Sequence, residues 1–217
     1  IASGVDFVKV NVALHGIGPV EPLAFSPRVL HAMREVVREA GIPFQTHSFT
    51  VESLRLSIDL EPELMQHPNV MSVPFPHASE SQQTAIREMI DEIREKGLIS
   101  GLMAIPNREQ VEAYAQWDSS QQADPWINKI MESRKPYFAS TDYEKMTESV
   151  KVWLDGDVTY TLATDQGPEA ADLGPTIWGR MGRAHFQRME ALQHIGEKPI
   201  DILIAATRNG AIAYGLG

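Results

Sequence analysis

The sequence predicts an α/β fold in which parallel β-strands alternate with helices. Short runs rich in β-branched and other apolar residues alternate with segments whose apolar residues recur at helical spacing. The connections between most of them are short, and there are no internal repeats or low-complexity tracts. Because strands joined through helices form right-handed parallel crossovers, the architecture is either a barrel or a doubly wound sheet.

Five segments have strand character. They are GVDFVKVNV (4–12), IPFQTH (42–47), ELMQH (63–67), LISGLMAI (98–105) and DVTYTLATD (157–165). The first is interpreted as a strand buried on both faces, because it is rich in β-branched and aromatic residues and bounded by glycine. The last ends at Asp165.

Helix signals separate these strands. Ser26, followed by Pro27, is a typical N-cap for a helix that Gly41 ends, and Thr50 caps VESLRLSIDL. Ser79 or Ser81 begins the next helix. That helix extends to residue 96 and is ended by Gly97. The remaining helical segments are about 142–154, HFQRMEALQHIG (185–196) and PIDILIAATRNGAIAYG (199–215). Residues 106–140 interrupt the alternation and are interpreted as an insertion with one or two short helices.

Composition excludes several classes of function. The chain of 217 residues has a net charge of −10 and no cluster of lysine and arginine, so neither nucleic acid nor an anionic membrane is an expected partner. It has no apolar run long enough to cross a bilayer. The absence of cysteine excludes disulfides, thiolate ligands and a cysteine nucleophile. The sequence does not assign a compartment, and the cytoplasm is the default expectation.

Four residues with metal-binding or acid–base chemistry lie at or near strand ends. They are Lys9, His47, His67 and Asp165. In parallel α/β folds the carboxyl ends of the strands meet at one edge, where ligands bind. Taken singly, each histidine is more often structural, and Asp165 could be a turn residue. A lysine in a buried strand is costly unless paired or modified, although an edge strand would leave Lys9 in water. The recurrence in four units favours a shared site.

Three further residues are weaker candidates for contact with a substrate. His15 lies in the glycine-rich loop HGIGPVEP, which lacks a phosphate-binding motif, and a plain surface histidine is an equal alternative. His77 follows the third strand. Arg180 follows the fifth strand, where it could bind a carboxylate or form a surface salt bridge.

Taken together, these motifs resemble a known family. GVDFVKV, the two histidines of TH and QH with a helix between them, ATDQG and the closing IAATRNGAIAYGLG are similar to the second half of the amidohydrolase superfamily, nearest its imidazolonepropionase-like and prolidase-like members. The resemblance covers nearly the whole chain except 106–140. It implies a (β/α)₈ TIM barrel of which this chain, residues 1–217, supplies approximately strands four to eight.

The resemblance also implies the chemistry of a metal-dependent amidohydrolase. Lys9 would be the N6-carboxylated lysine that bridges one or two divalent metal ions, with zinc as the expected metal. His47, His67 and Asp165 would be further ligands, and Asp165 would also be the catalytic proton shuttle. A metal-activated water would then cleave an amide or other C–N bond of a small molecule, such as an N-acyl amino acid, a dipeptide or a cyclic amide.

One part of the family pattern is absent from this sequence. The H-x-H pair of strand one does not occur, and His15 has no second histidine two residues away. We therefore expect the N-terminal half-barrel on another chain or in a missing segment, within a homo-oligomer. Two alternatives remain: a catalytically inactive barrel that serves as a binding or assembly module, and a doubly wound sheet whose four strand-end side chains do not converge.

Overall fold

The computed structural model describes residues 4–13, 23–71, 73–103, 143–164 and 183–216, with isolated positions between 108 and 139. The sheet consists of five parallel strands, β1 (Val8–Asn11), β2 (Phe44–His47), β3 (Leu64–Gln66), β4 (Ser100–Met103) and β5 (Tyr160–Ala163). All lie within the predicted segments but are shorter. Their order in the sheet is their order in the chain.

Seven α-helices follow or separate the strands in the described residues. They are α1 (Pro27–Glu39), α2 (Val51–Asp59), α3 (Glu80–Lys96), α4 (Tyr143–Asp155), α5 (Arg183–His194), α6 (Pro199–Ala206) and α7 (Arg208–Ala213). Two short 3₁₀ turns occupy Phe75–His77 and Ser119–Gln121. None of these helices has the length and apolarity needed to cross a membrane.

The predicted caps are observed. Ser26 accepts a hydrogen bond from the Val29 backbone, and Thr50 forms a capping box with Ser53. Ser79, not Ser81, caps α3. Gly97 ends α3 in the left-handed conformation, with φ of 65°, which glycine adopts without the steric cost of a side chain.

In the part of the chain that the structure describes, helices α1 to α6 lie on one face of the sheet, which we call the outer face. Strand residues of alternate parity pack there against α1 to α6; they are Val10, Phe44, Met65, Leu102 and Tyr160. Trp153 of α4 and Leu54 of α2 are buried in the same layer. A sheet in sequential order with helices on one face is an arc of a barrel, because a doubly wound sheet reverses its strand order and has helices on both faces. The doubly wound alternative is therefore wrong.

Residues of the opposite parity form the inner face, the side that a closed barrel would enclose. At the amino ends of the strands this face is covered by α7 and the residue after it. Ala213 packs against Leu64 and Ile99, and the Tyr214 ring lies edge-on to Phe7, with 5.3 Å between centroids. The amino end of the arc is thus closed, which leaves the carboxyl ends for a site.

Two predicted elements need correction. The first strand is not buried on both faces: Val10 is buried, but Lys9 and Asn11 are exposed, because β1 is an edge of the described sheet. The last helical segment is two helices, since the backbone breaks at Thr207 with φ of −131° and ψ of −82°. The Thr207 hydroxyl donates to the Leu203 carbonyl at 2.6 Å, a local bond that competes with regular helix hydrogen bonding. Most of 106–140 lies outside the described residues.

A half-buried carboxyl group joins the C-terminal helices to β5. The Tyr160 hydroxyl donates to Glu197 Oε1 at 3.3 Å, while Asn209 Nδ2 donates to the Tyr160 carbonyl at 2.8 Å. Burial raises the pKa of the Glu197 carboxyl, and the negative charge of Asp201 adds to this, although the bond from Tyr160 opposes it. The ionised form of Glu197 is therefore less stable in the folded protein than in the unfolded chain.

This shift predicts a pH-dependent effect of Glu197→Gln. Because the folded pKa is above the usual 4.5, ionisation destabilises the fold as pH rises from about 4.5 upward and has no effect below that. The neutral substitution should stabilise the protein at pH 7 and leave stability at pH 4 unchanged; the gain should be small, a few tenths of a kcal/mol, because solvent screens the partly exposed carboxylate. Denaturant unfolding at both pH values measures this, with the exposed Glu39→Gln on α1 as control. Equal effects at the two pH values would contradict the assignment.

Candidate metal centre

Two buried histidines lie side by side at the carboxyl ends of β2 and β3. His47 is the last residue of β2, and His67 directly follows β3. Their side chains are almost inaccessible, at 5% and 3% exposure, and their ring centroids are 4.3 Å apart with the planes nearly perpendicular. The convergence predicted from the sequence is thus observed for this pair.

The backbone of His67 explains how both rings reach the same place. Gln66 is in register with His47, so regular alternation would direct the next side chain, that of His67, to the outer face. Instead, His67 has a φ of 36°, in the left-handed region that non-glycine residues seldom adopt. Its carbonyl accepts from Val70 N at 2.9 Å in a tight turn with Pro68 at the second position. Strained backbone of this kind is concentrated at functional sites.

Asn69 ties this turn to the neighbouring strand. Its Nδ2 donates to the Met103 carbonyl at 2.9 Å, and its Oδ1 accepts from Met103 N at 3.0 Å, so the side chain bonds both backbone groups at the end of β4. Asn69 is itself buried. The turn that carries His67 is therefore held against the sheet rather than left as a free loop.

An aromatic ring closes one side of the pair. Phe49 lies edge-on to His47, with centroids 4.2 Å apart, and its centroid is 5.6 Å from that of His67. The ring is buried, and the Phe49 backbone N–H donates to Ser53 Oγ at the start of α2. Phe49 provides an apolar wall that would exclude water from the histidines. Sequence reasoning missed it because a phenylalanine before a helix has no chemical signature.

Beneath the histidines the inner face is polar. Gln45 is completely buried two residues before His47, and its Oε1 accepts from Gln66 Nε2 at 2.8 Å. Gly101 leaves room for this pair, because a Cβ added there would lie 3.3 Å from Gln66 Oε1 and 3.5 Å from Thr161 Oγ1. These glutamines were also missed, since their alternate positions in short strands look like ordinary strand polarity.

Lys9 lies on the inner face of β1, in register with Gln45. The residue in register with His47 is Asn11, so Lys9 begins two residues, about 7 Å along the strand, before the level of the histidine pair. Its side chain is exposed. In this chain Lys9 is therefore on an edge strand with its side chain in water, the alternative given above. The role of Lys9 as a metal ligand stays a prediction.

The other predicted site residues are not brought to the pair in the described part of the chain. Asp165, His15 and Arg180 lie outside the described residues, although the last described residue after β5 is Thr164, one before Asp165. His77 is exposed, and Phe75 of the same turn packs in the outer core. Within the described ranges no three metal-binding side chains cluster.

The residues that are described fit a metal ion. Imidazole is a preferred ligand of zinc, and two imidazoles held together in a buried position at the carboxyl edge of a parallel sheet provide part of such a site. The strained φ of His67 adds to this fit, because it holds a side chain where strand alternation would not place it. A complete centre needs additional ligands.

Comparison with known proteins gives structural neighbours only; no family model and no curated protein sequence matches. Molinate hydrolase is similar over 99% of this chain with a TM-score of 0.71 and 25% identity. Phenylurea hydrolase B matches 99% of the chain with a TM-score of 0.69 and 23% identity. A Xaa-Pro dipeptidase with bound methionine in its active site also matches 99%, with a TM-score of 0.59 and 16% identity.

The matches cover 43%, 44% and 45% of these three proteins, respectively, so the chain spans less than half of their length. A prolidase and an amidohydrolase are among the other neighbours. The fold is therefore that of a partial amidohydrolase barrel, and the resemblance predicted from the sequence is confirmed. The neighbours are hydrolases by name.

Proposed function

We propose that this chain carries the C-terminal part of a metal-dependent hydrolase that cleaves an amide or other C–N bond of a small molecule. The observation that carries the proposal is the buried pair of His47 and His67 at the carboxyl ends of adjacent parallel strands. The names of the neighbours support the substrate class, because a phenylurea and a Xaa-Pro dipeptide both contain a carbonyl carbon bonded to nitrogen.

The proposed ligands are His47 and His67, with Lys9 as a carboxylated lysine and Asp165 after β5. Zinc is the proposed metal, in one or two ions, since two of these four side chains are imidazoles. A bound divalent metal would supply an acidified water and polarise the substrate carbonyl. We leave His15, His77 and Arg180 as proposed contacts to the substrate.

The residues of this chain would each have a defined task. His47 and His67 hold the site in place at the strand ends, while Phe49 excludes bulk water beside them. Asp165 would accept the proton of the attacking water and transfer it to the leaving nitrogen, which makes the amine a better leaving group. That proton transfer requires a carboxylate within hydrogen-bond reach of the water, and in the sequence Asp165 comes two residues after the end of β5.

A complementary half-barrel is part of the proposal. Among the described strands β1 pairs only with β2, so its other edge is unpaired. Val5 and Phe7, which precede β1, are 43% and 40% exposed. On the C-terminal helices Ile200 and Leu203 are also exposed. Closure of a barrel over these edges would bury them and would add the ligands of the first strands. We propose that this half comes from another segment or chain within a homo-oligomer.

Metal analysis of the complete protein tests the proposal. We expect one or two zinc ions per chain, loss of hydrolysis of Xaa-Pro dipeptides, N-acyl amino acids or phenylureas after chelation, and its return with zinc. The exposed His31→Ala on α1 is the control and should retain both metal and activity. A complete protein that is active without metal would refute the proposal. One that binds zinc but hydrolyses none of these compounds would favour the inactive binding module.

A further inference from the structure

In the buried side-chain amide of Gln45, the oxygen has a hydrogen-bond partner and the nitrogen has none in the described part of the chain. Its Oε1 accepts from Gln66 Nε2 on β3, which fixes the orientation of the amide. Its Nε2 has no hydrogen-bond partner among the described residues, although Gln45 has no exposed surface at all. A buried donor without a partner destabilises the fold, because it has lost its hydrogen bonds to water and gained none in the protein. Such a donor at a candidate site needs an acceptor.

The neighbouring strands restrict where that acceptor can come from. β3 lies on one side of β2 and β1 on the other, and the bond to Gln66 engages the β3 side. On β1 the residue in register with Gln45 is Lys9, on the same inner face. An unmodified lysine ammonium has three donors and no acceptor, so it cannot satisfy Gln45 Nε2. The carbamate of a carboxylated lysine has two acceptor oxygens.

We infer that Gln45 Nε2 donates a hydrogen bond to the carbamate of Lys9, which makes Gln45 a positioning residue of the metal centre. The inference rests on the proposed function and specifies how this chain holds its modified lysine. Gln66 takes part indirectly, because its bond to Gln45 Oε1 directs Nε2 away from β3. Gly101 takes part by leaving space for the Gln66 side chain.

Carboxylation of Lys9 needs carbon dioxide as its only co-reactant. The neutral amine of Lys9 attacks the carbon of CO₂, an N–C bond forms, and one C–O π pair becomes the negative charge of the carbamate. A proton leaves the nitrogen to solvent, and no electron is gained or lost. A donor beside the carbamate would favour this equilibrium, because hydrogen bonds to ionised acceptors are stronger than those between neutral groups.

Reconstitution in labelled bicarbonate tests the inference without a measurement of activity. The complete protein is stripped of metal and given zinc in ¹³C-bicarbonate, and the carbamate is observed as a ¹³C NMR signal together with metal content. Gln45→Met keeps the volume of the side chain and removes the donor. We expect it to raise the bicarbonate concentration for half-maximal carbamate formation about tenfold. Gln66→Met should raise it by a smaller factor, about threefold, because Gln45 remains but its amide is no longer oriented.

Thr46→Val is the matched control. Thr46 is equally buried and adjacent in sequence, but its side chain is on the outer face, so its substitution should leave the bicarbonate dependence unchanged. If Gln45→Met fails to fold, the bicarbonate dependence of Gln66→Met by itself tests the inference.

Unchanged half-saturation in the glutamine variants would overturn the inference, as would an equal rise in Thr46→Val, and both leave the proposed function intact. A wild-type protein that binds zinc and is active but forms no carbamate would overturn the inference and the carboxylated lysine together.

Discussion

Replacing His47 or His67 by alanine is expected to lower kcat/KM of the complete protein by at least about 10³-fold. This exceeds the ten- to hundredfold loss typical of residues that only support a metal ligand. Both side chains are buried with their rings in contact, so each alanine substitution removes one of the two proposed imidazole ligands from an enclosed position. Steady-state kinetics and metal content of each purified variant measure the effect.

Comparison with volume-conserving variants separates ligation from packing. His47→Gln retains most of the side-chain volume against Phe49 but is a poor zinc ligand, so it should lose as much activity as His47→Ala. The double variant of both histidines should be no worse than either single one, because residues that act as a unit are not additive. Full activity of His47→Gln with normal circular dichroism would show that the histidine pair is structural.

Gly156→Ala is expected to destabilise the protein by about 1–3 kcal/mol, the usual cost of overpacking. Gly156 directly follows α4, and a Cβ at this position would overlap Cγ2 of Ile90 on α3. Ile90 is buried at 2% exposure and is branched at Cβ, so it cannot turn aside easily. Arg94 Nη1 also donates to the Gly156 carbonyl at 3.3 Å, which holds the backbone in place. Chemical denaturation measures the change in free energy of unfolding.

Gly210→Ala provides the matched control for Gly156→Ala. Gly210 lies in α7, where an added Cβ would meet no atom within 4 Å, so this substitution should stabilise the protein by about 0.4–1 kcal/mol. In an Ile90→Ala background the cost of Gly156→Ala should fall, since the overlapping methyl group is removed. Equal costs in both backgrounds would exclude the contact with Ile90 as the cause.

Local signals in the sequence predicted most of the fold. The caps at Ser26, Thr50 and Gly97 follow from hydrogen bonding within a few residues, so they do not depend on distant contacts. One prediction that failed depended on such contacts, because an apolar run does not reveal whether its strand is central or at the edge of the sheet, as β1 is. The break at Thr207 has a local partner instead, the bond from its hydroxyl to the Leu203 carbonyl, which the helical spacing of apolar residues does not reveal.

The candidate site was predictable in part for the same reason. His47 and His67 have side chains with metal-binding chemistry and recur at strand ends, so their identity and position carried the prediction. Phe49, Gln45 and Gln66 have no such chemistry, and their proximity to the pair depends on strand register. The roles of Lys9 and Asp165 remain predictions of the sequence.

Residue patterns within short segments predict an alternating α/β chain with parallel strands and metal-binding or acid–base residues at their carboxyl ends. Periodicity, capping and residue chemistry are properties of short segments, which explains their success. Two features are visible only in the folded chain: the sheet is an arc of a barrel with α1 to α6 on its outer face, and His67 contacts His47 from a left-handed backbone. Sheet order and ring contact depend on segments far apart in the chain, whose mutual packing no local pattern specifies.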